Sequence, residues 1–134
     1  MTHIQFELVS PEKKIMSEGV TMAVIPGTEG DFGVLAGHTP LIATIKTGVV
    51  EIYRDNMNVC SDRIFIAGGF ADVSNENCTI LAEQAINVND IDAGDVAKQL
   101  ADAEENLSMA EGGADKRRFQ KRIDVLTAMQ TAAA

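Results

Sequence analysis

The chain has 134 residues, a net charge of −9, 46% hydrophobic residues, 4% aromatic residues and no Trp. That length suits one domain, or a small domain with an appendage, and lets roughly two-thirds of the unfolded surface be buried. The acidic balance argues against nucleic acid as a partner, because phosphates require a basic face. No run approaches the ~18 uninterrupted apolar residues of a membrane span, so direct membrane insertion is not expected.

The polar start at Thr2-His3 and the alternation that follows at once give no sign of a signal peptide. From His3 to Ser10, Ile4, Phe6 and Leu8 alternate with Gln5 and Glu7, the period of a half-buried strand. Pro11-Glu12 turns the chain, and Lys14 to Ser17 returns as a short partner. Val20 to Ile25 is rich in β-branched residues and is ended by Pro26-Gly27.

The stretch Gly27-Thr-Glu-Gly-Asp-Phe-Gly-Val-Leu-Ala-Gly-His-Thr-Pro-Leu41 organises the chain. Gly27, Gly30, Gly33 and Gly37 recur at intervals of three, three and four, and Pro40 closes the run. Glycine supplies the positive φ of tight turns, and Phe32, Val34 and Leu35 fill only a stub of strand between them. The order is G-x-x-G-x-x-G with no Lys-Ser/Thr after it and no helix directly behind it, so a phosphate loop is not expected. The corner presents an acidic tip, Glu29 and Asp31, to solvent or to a partner.

Leu41 to Thr47 and Val49 to Arg54 flank Gly48, and Asp55-Asn56 turns into a strand over Met57 to Ala67. Gly68-Gly69 marks a kink or a close backbone approach. Phe70 to Val73, a turn at Ser74-Asn75-Glu76-Asn77 and Cys78 to Glu83 form a hairpin, with a last edge strand over Gln84 to Val88. About nine or ten short strands without intervening helices predict an antiparallel sandwich or barrel. Cys60 and Cys78, with no C-x-x-C spacing or histidine cluster, read as reduced thiols.

From Asn89 the period changes. Asn89-Asp90 offers N-cap side chains, and Asp92 and Asp95 suit a first helical turn. Val96, Leu100, Ala103, Leu107 and Ala110 form one apolar seam, and Phe119, Ile123, Leu126 and Met129 or Gln130 a second, with Gly112-Gly113 between. The chain thus divides into a β-sandwich over 1–88 and a helical hairpin over 89–134. Residues 92–111 carry six acids against Lys98, and residues 114–131 carry Lys116, Arg117, Arg118, Lys121 and Arg122 against Asp115 and Asp124. The helices attract, but exposed pairs contribute only ~0–1 kcal/mol each. The charge split reads equally as two solvated faces, or as a basic helix able to leave its neighbour for an acidic surface elsewhere.

No constellation for chemistry is present. His3 and His38 lie far apart without metal-ligand spacing, so no metal is expected. No Ser sits in a G-x-S-x-G elbow, and Glu104-Glu105 lies on an exposed helix where nothing raises a pKa. His38 reads as a turn residue bonding local backbone, with a partner contact second.

The string Gly-Asp-Phe-Gly-Val-Leu-x-Gly-His-Thr-Pro-Leu (30–41), followed by Gly68-Gly69-Phe70-Ala71-Asp72-Val73 and Leu81-Ala82-Glu83, resembles the ε subunits of bacterial F-type ATP synthases, which are similar to the mitochondrial δ subunit. The resemblance implies a sandwich followed by a helical hairpin, with no active site and no cofactor. It implies a central-stalk subunit that binds γ and the c-ring during proton-driven ATP synthesis. Such a subunit is held peripherally on the cytoplasmic face of the inner membrane. It places Glu29, Asp31 and His38 at the c-ring, Asp31 foremost, and lets the extended hairpin reach the α and β subunits to restrain ATP hydrolysis through the basic run 116–122. Some members bind ATP through Ile-Asp-x-x-Arg-Ala. Here Ile91-Asp92 matches, but Asp95 and Val96 stand where Arg and Ala belong, and an acid there repels phosphate.

Two other readings remain at this point. One is a free-standing small-ligand or nucleotide sensor with a movable helical lid, which predicts a ligand-dependent thermal shift. The other is a sandwich-fold enzyme, which the missing histidine cluster disfavours.

Overall fold

The computed structural model describes residues 3–133; Thr2, part of the polar start, lies outside them. Two compact units result, residues 1–87 and 88–134. The first is a sandwich of eight strands among the described residues: β1 (Ile4–Val9), β2 (Lys14–Val20), β3 (Met22–Gly27), β4 (Gly30–Val34), β5 (Leu41–Tyr53), β6 (Asp62–Val73), β7 (Asn77–Ala82) and β8 (Ala85–Asn87). Their order is β2-β1-β7-β6-β5-β3-β4, with β8 pairing β6 beside β7. Every pair is antiparallel except β1 with β7, which run parallel with Phe6 opposite Cys78 and Leu8 opposite Ile80.

Alternation fills the core. Ile4, Phe6 and Leu8 of β1 are fully buried and meet Val20, Ile25, Val50, Ile52, Ile64, Ile66 and Ile80. Each such side chain contributes about 1.5–3 kcal/mol by leaving water. Cys78 is also buried, and desolvation, helped by nearby Asp72, pushes its thiol from the ordinary 9.0 up to about 12. It therefore packs as a small apolar residue rather than a nucleophile. Cys60 is likewise a free thiol, raised mainly by burial.

Two long strands replace four expected short ones, which brings nine or ten strands down to eight. Gly48 does not interrupt β5. A Cβ there would lie 3.0 Å from the Pro26 Cβ, so glycine serves close packing against β3. Met57 to Ser61, expected as strand, is loop, because the Asn56 carboxamide oxygen accepts the Asn58 and Val59 N–H groups at 2.8 and 3.0 Å and curls the chain. Gly68-Gly69 does not end β6 but bends it: both have positive φ, +99° and +148°. Residues 64–66 pair with β8, and residues 69–73 pair with β7.

Arg54, at the end of β5, ties three elements together. Its guanidinium pairs with Glu18 of β2 and, at 2.6 Å, with Asp62 of β6. These charge-assisted bonds hold the Arg54 pKa above its ordinary value. Its carbonyl accepts from Thr21 Oγ1 at 3.0 Å, satisfying a buried hydroxyl at the β2–β3 corner.

The second unit opens with a 3-10 turn over Val88–Asp90, followed by α1 (Ala93–Met109) and α2 (Gly113–Ala133). Val96 and Ala103 of α1 and Leu126, Met129 and Ala132 of α2 are buried, while Leu100, Leu107, Phe119 and Ile123 are half-buried. Met129 rather than Gln130 continues the second seam.

Gly69→Ala is expected to cost about 2–4 kcal/mol, because a Cβ would collide with the Leu81 carbonyl and the backbone is left-handed. Gly19→Ala, whose Cβ would meet only the His3 Cβ at 3.6 Å, should change stability by about 0.5 kcal/mol or less. Denaturant midpoints of the two variants check the contrast.

Candidate functional site

The glycine-rich corner is a β3–β4 hairpin with Gly27 opposite Gly30 and a two-residue loop, Thr28-Glu29. Only some of its glycines work through backbone freedom. Gly30 and Gly37 take positive φ, +132° and +85°, whereas Gly27 is required by space, since a Cβ would lie 2.8 Å from the Gly30 carbonyl oxygen. The Thr28 N–H donates to the Thr44 carbonyl at 3.1 Å and pins the tip to β5. An open groove of about 530 Å3 results, lined by residues 27–32 and 41–44.

Glu29 and Asp31 are both exposed and both line that groove, beside Leu41 and the 75% exposed Ile42. His38 does not line it. It sits half-buried in the loop after β4, where its Nδ1–H donates to the Thr39 carbonyl at 2.6 Å. That loop is anchored in turn by the Gly37 N–H on the Asn75 carbonyl at 2.7 Å. The corner is thus a braced acidic tip with apolar side chains at its base, able to grip a basic or amphipathic loop.

A second surface was missed in the sequence. Phe70 of β6 faces Leu81 of β7, and Leu81 faces Val9 of β1, so the three form one cross-strand row on the outer face. Phe70 is 57% and Leu81 53% exposed, and a groove of about 300 Å3 runs over them and Ser10-Pro11. The neighbouring row, Asp72, Thr79 and Glu7, is polar, as a solvated sheet face requires. Adjacent apolar pairs held the signal: Phe70-Ala71 and Ile80-Leu81 cannot both point inward in a strand of period two.

In the hairpin the five bases lie exposed on α2. Arg118 pairs with Asp115 at 3.5 Å and covers the Phe119 ring at 4.9 Å, and Arg122 crosses to Gln99 of α1 at 3.0 Å. The partial Ile91-Asp92 pattern starts the helix instead. Asp92 is the N-cap, accepting from the Asp95 N–H at 3.1 Å, and Asp95 accepts from Gln99 Nε2 at 2.8 Å. Val96 is buried one turn on.

A braced Gly-rich corner on a β-sandwich, followed by a helical hairpin, defines the delta/epsilon class of ATP synthase subunits. The family model described as "ATP synthase, Delta/Epsilon chain, beta-sandwich domain" matches residues 3–88. Among relatives, the ATP synthase epsilon chain of Rhodospirillum centenum is 43% identical over 90% of this chain and 84% of its own. That of Paramagnetospirillum magneticum is 45% identical over 98% of this chain and 97% of its own. The fold is shared with a chain of the mitochondrial ATP synthase of Euglena gracilis, solved as OSCP/F1/c-ring, at TM-score 0.82 and 24% identity over 100% of this chain and 83% of that one. The chain belongs to the ATP synthase epsilon-chain family.

With acids at Asp92 and Asp95 already committed to the first turn of α1, the isolated protein is expected to show no micromolar affinity for ATP. Titration calorimetry checks this, and Asp95→Arg is the variant to compare.

Proposed function

We propose that the chain is the foot of the rotor, clamping γ to the c-ring through two faces of its sandwich and braking ATP hydrolysis with its hairpin. Family membership makes it a stalk subunit of ATP synthase that is not catalytic by itself. No helix among the described residues is long and apolar enough to cross a membrane, and we read the chain's association with the membrane complex as peripheral. We place it on the cytoplasmic face of the inner membrane.

The observation that carries the reading is the pair of dissimilar docking surfaces on one rigid sandwich. The apolar row Val9, Phe70 and Leu81 fits γ, because outward aromatic and aliphatic anchors stabilise a lasting contact once water is excluded. The acidic corner, with Asp31 first, then Glu29 and the loop of His38, fits the polar loops of the c-ring. Torque passes between the two without slip because β5 and β6 are continuous through the sandwich. In the hairpin, Lys116, Arg117, Arg118, Lys121 and Arg122 form the face that engages acidic segments of the α and β subunits when α2 is extended.

Leu81→Asp is expected to weaken binding to γ by about 30-fold or more, an anchor-sized loss, with the melting temperature of the free chain little changed because the side chain points outward. Binding measured on immobilised γ tests this, and unaltered affinity would remove the row from the interface.

Deleting residues 89–134 should raise ATP hydrolysis by the assembled enzyme while leaving the sandwich bound. Equal activity with and without the hairpin would refute the brake.

A further inference from the structure

We propose that Gln99 is a two-sided latch that sets how readily α2 leaves α1. The inference rests on the hairpin being a movable brake and names what holds it at rest. The Gln99 Nε2 donates to Asp95 at 2.8 Å while its Oε1 accepts from Arg122 of α2 at 3.0 Å. A carboxylate only accepts and a guanidinium only donates, so the amide has one orientation that serves both; flipped, it would set nitrogen against nitrogen and oxygen against oxygen. Asp95 is itself held, through its N–H, by the N-cap Asp92 at 3.1 Å. A single chain of hydrogen bonds therefore runs from the start of α1 to the basic face of α2.

The rest of the hairpin gives this chain its leverage. Apolar closure is thin: of the α1 seam only Val96 and Ala103 are buried. Arg118, though on the basic helix, spends its charge on Asp115 of the same helix and on the Phe119 ring. Exposed ion pairs add little; the two Gln99 bonds also face solvent, but each has a charged partner and one of them crosses directly to α2. Arg122 belongs to the basic run that docks elsewhere, so one guanidinium serves either the latch or the outside partner. Release of the latch and docking of the helix are then linked, and each shifts the population of the other.

Hydrogen exchange on the full chain tests the latch. Gln99→Ala keeps helix propensity but removes both bonds, and should speed exchange across residues 113–133 about threefold to tenfold, with exchange in residues 3–87 and total helicity by circular dichroism unchanged. Gln99→Glu keeps and charges the acceptor for Arg122 but loses the donor to Asp95 and faces it with a like charge. It should leave exchange in α2 at or below that of the unaltered protein and speed it at residues 93–96. An α2 as protected in Gln99→Ala as in the unaltered chain, or as exposed in Gln99→Glu as in Gln99→Ala, would overturn the latch. ATP hydrolysis by the enzyme carrying each variant separates this from the brake. If exchange responds as expected but hydrolysis ignores both the variants and removal of the hairpin, the latch holds and the brake fails. If removal of the hairpin speeds hydrolysis while exchange in Gln99→Ala is unaltered, the brake holds and the latch fails.

Discussion

The sandwich depends on a backbone bend in β6. A strand that must pair with β8 over one half and β7 over the other has to change direction without losing its partner β5, and only a residue free of Cβ strain accepts the needed left-handed backbone. Gly68 and Gly69 supply it, and the Leu81 carbonyl fills the space where a Cβ of Gly69 would stand. Because β5 and β6 then run uninterrupted, the acidic corner and the outer apolar row belong to one stiff body. The proposed clamp between two partners needs that stiffness more than it needs reactive groups.

Arg54 secures the same body from the other end. Its backbone and side chain together join β2, the β2–β3 corner, β5 and β6. A partly exposed ion triad contributes modestly to stability, and its larger effect is to fix which strand ends meet. The hairpin is built on the opposite plan. Its seams are short and its charges solvated, so comparatively little holds α2 against α1, as the proposed brake requires.

Period-two alternation in β1 and the change of period after Asn89 announced the two-part architecture directly, and Gly68-Gly69 announced a bend. What escaped detection was long-range. Nothing local marks the parallel pairing of β1 with β7, since both strands read alike whichever way their partner runs. Gly48 looked like a break because the sequence does not show that Pro26 lies against it. Met57 and Val59 looked like strand because their apolarity outweighed Asn56, whose side chain decides the loop. At the corner, the acids Glu29 and Asp31 were legible as an exposed tip, and the structure puts them on a common groove while turning His38 to its own backbone. The Phe70–Leu81–Val9 row required the register between three strands, which adjacent apolar residues only hint at.

The division of the chain after Asn87 coincides with the reach of the family model, which ends at residue 88. The sandwich is constrained at nearly every inward position, whereas the tail buries only a few side chains and carries its charges in solvent. If the tail is the proposed brake, selection can retune the idling rate of such a motor through polar substitutions on the last forty-seven residues, leaving its transmission untouched.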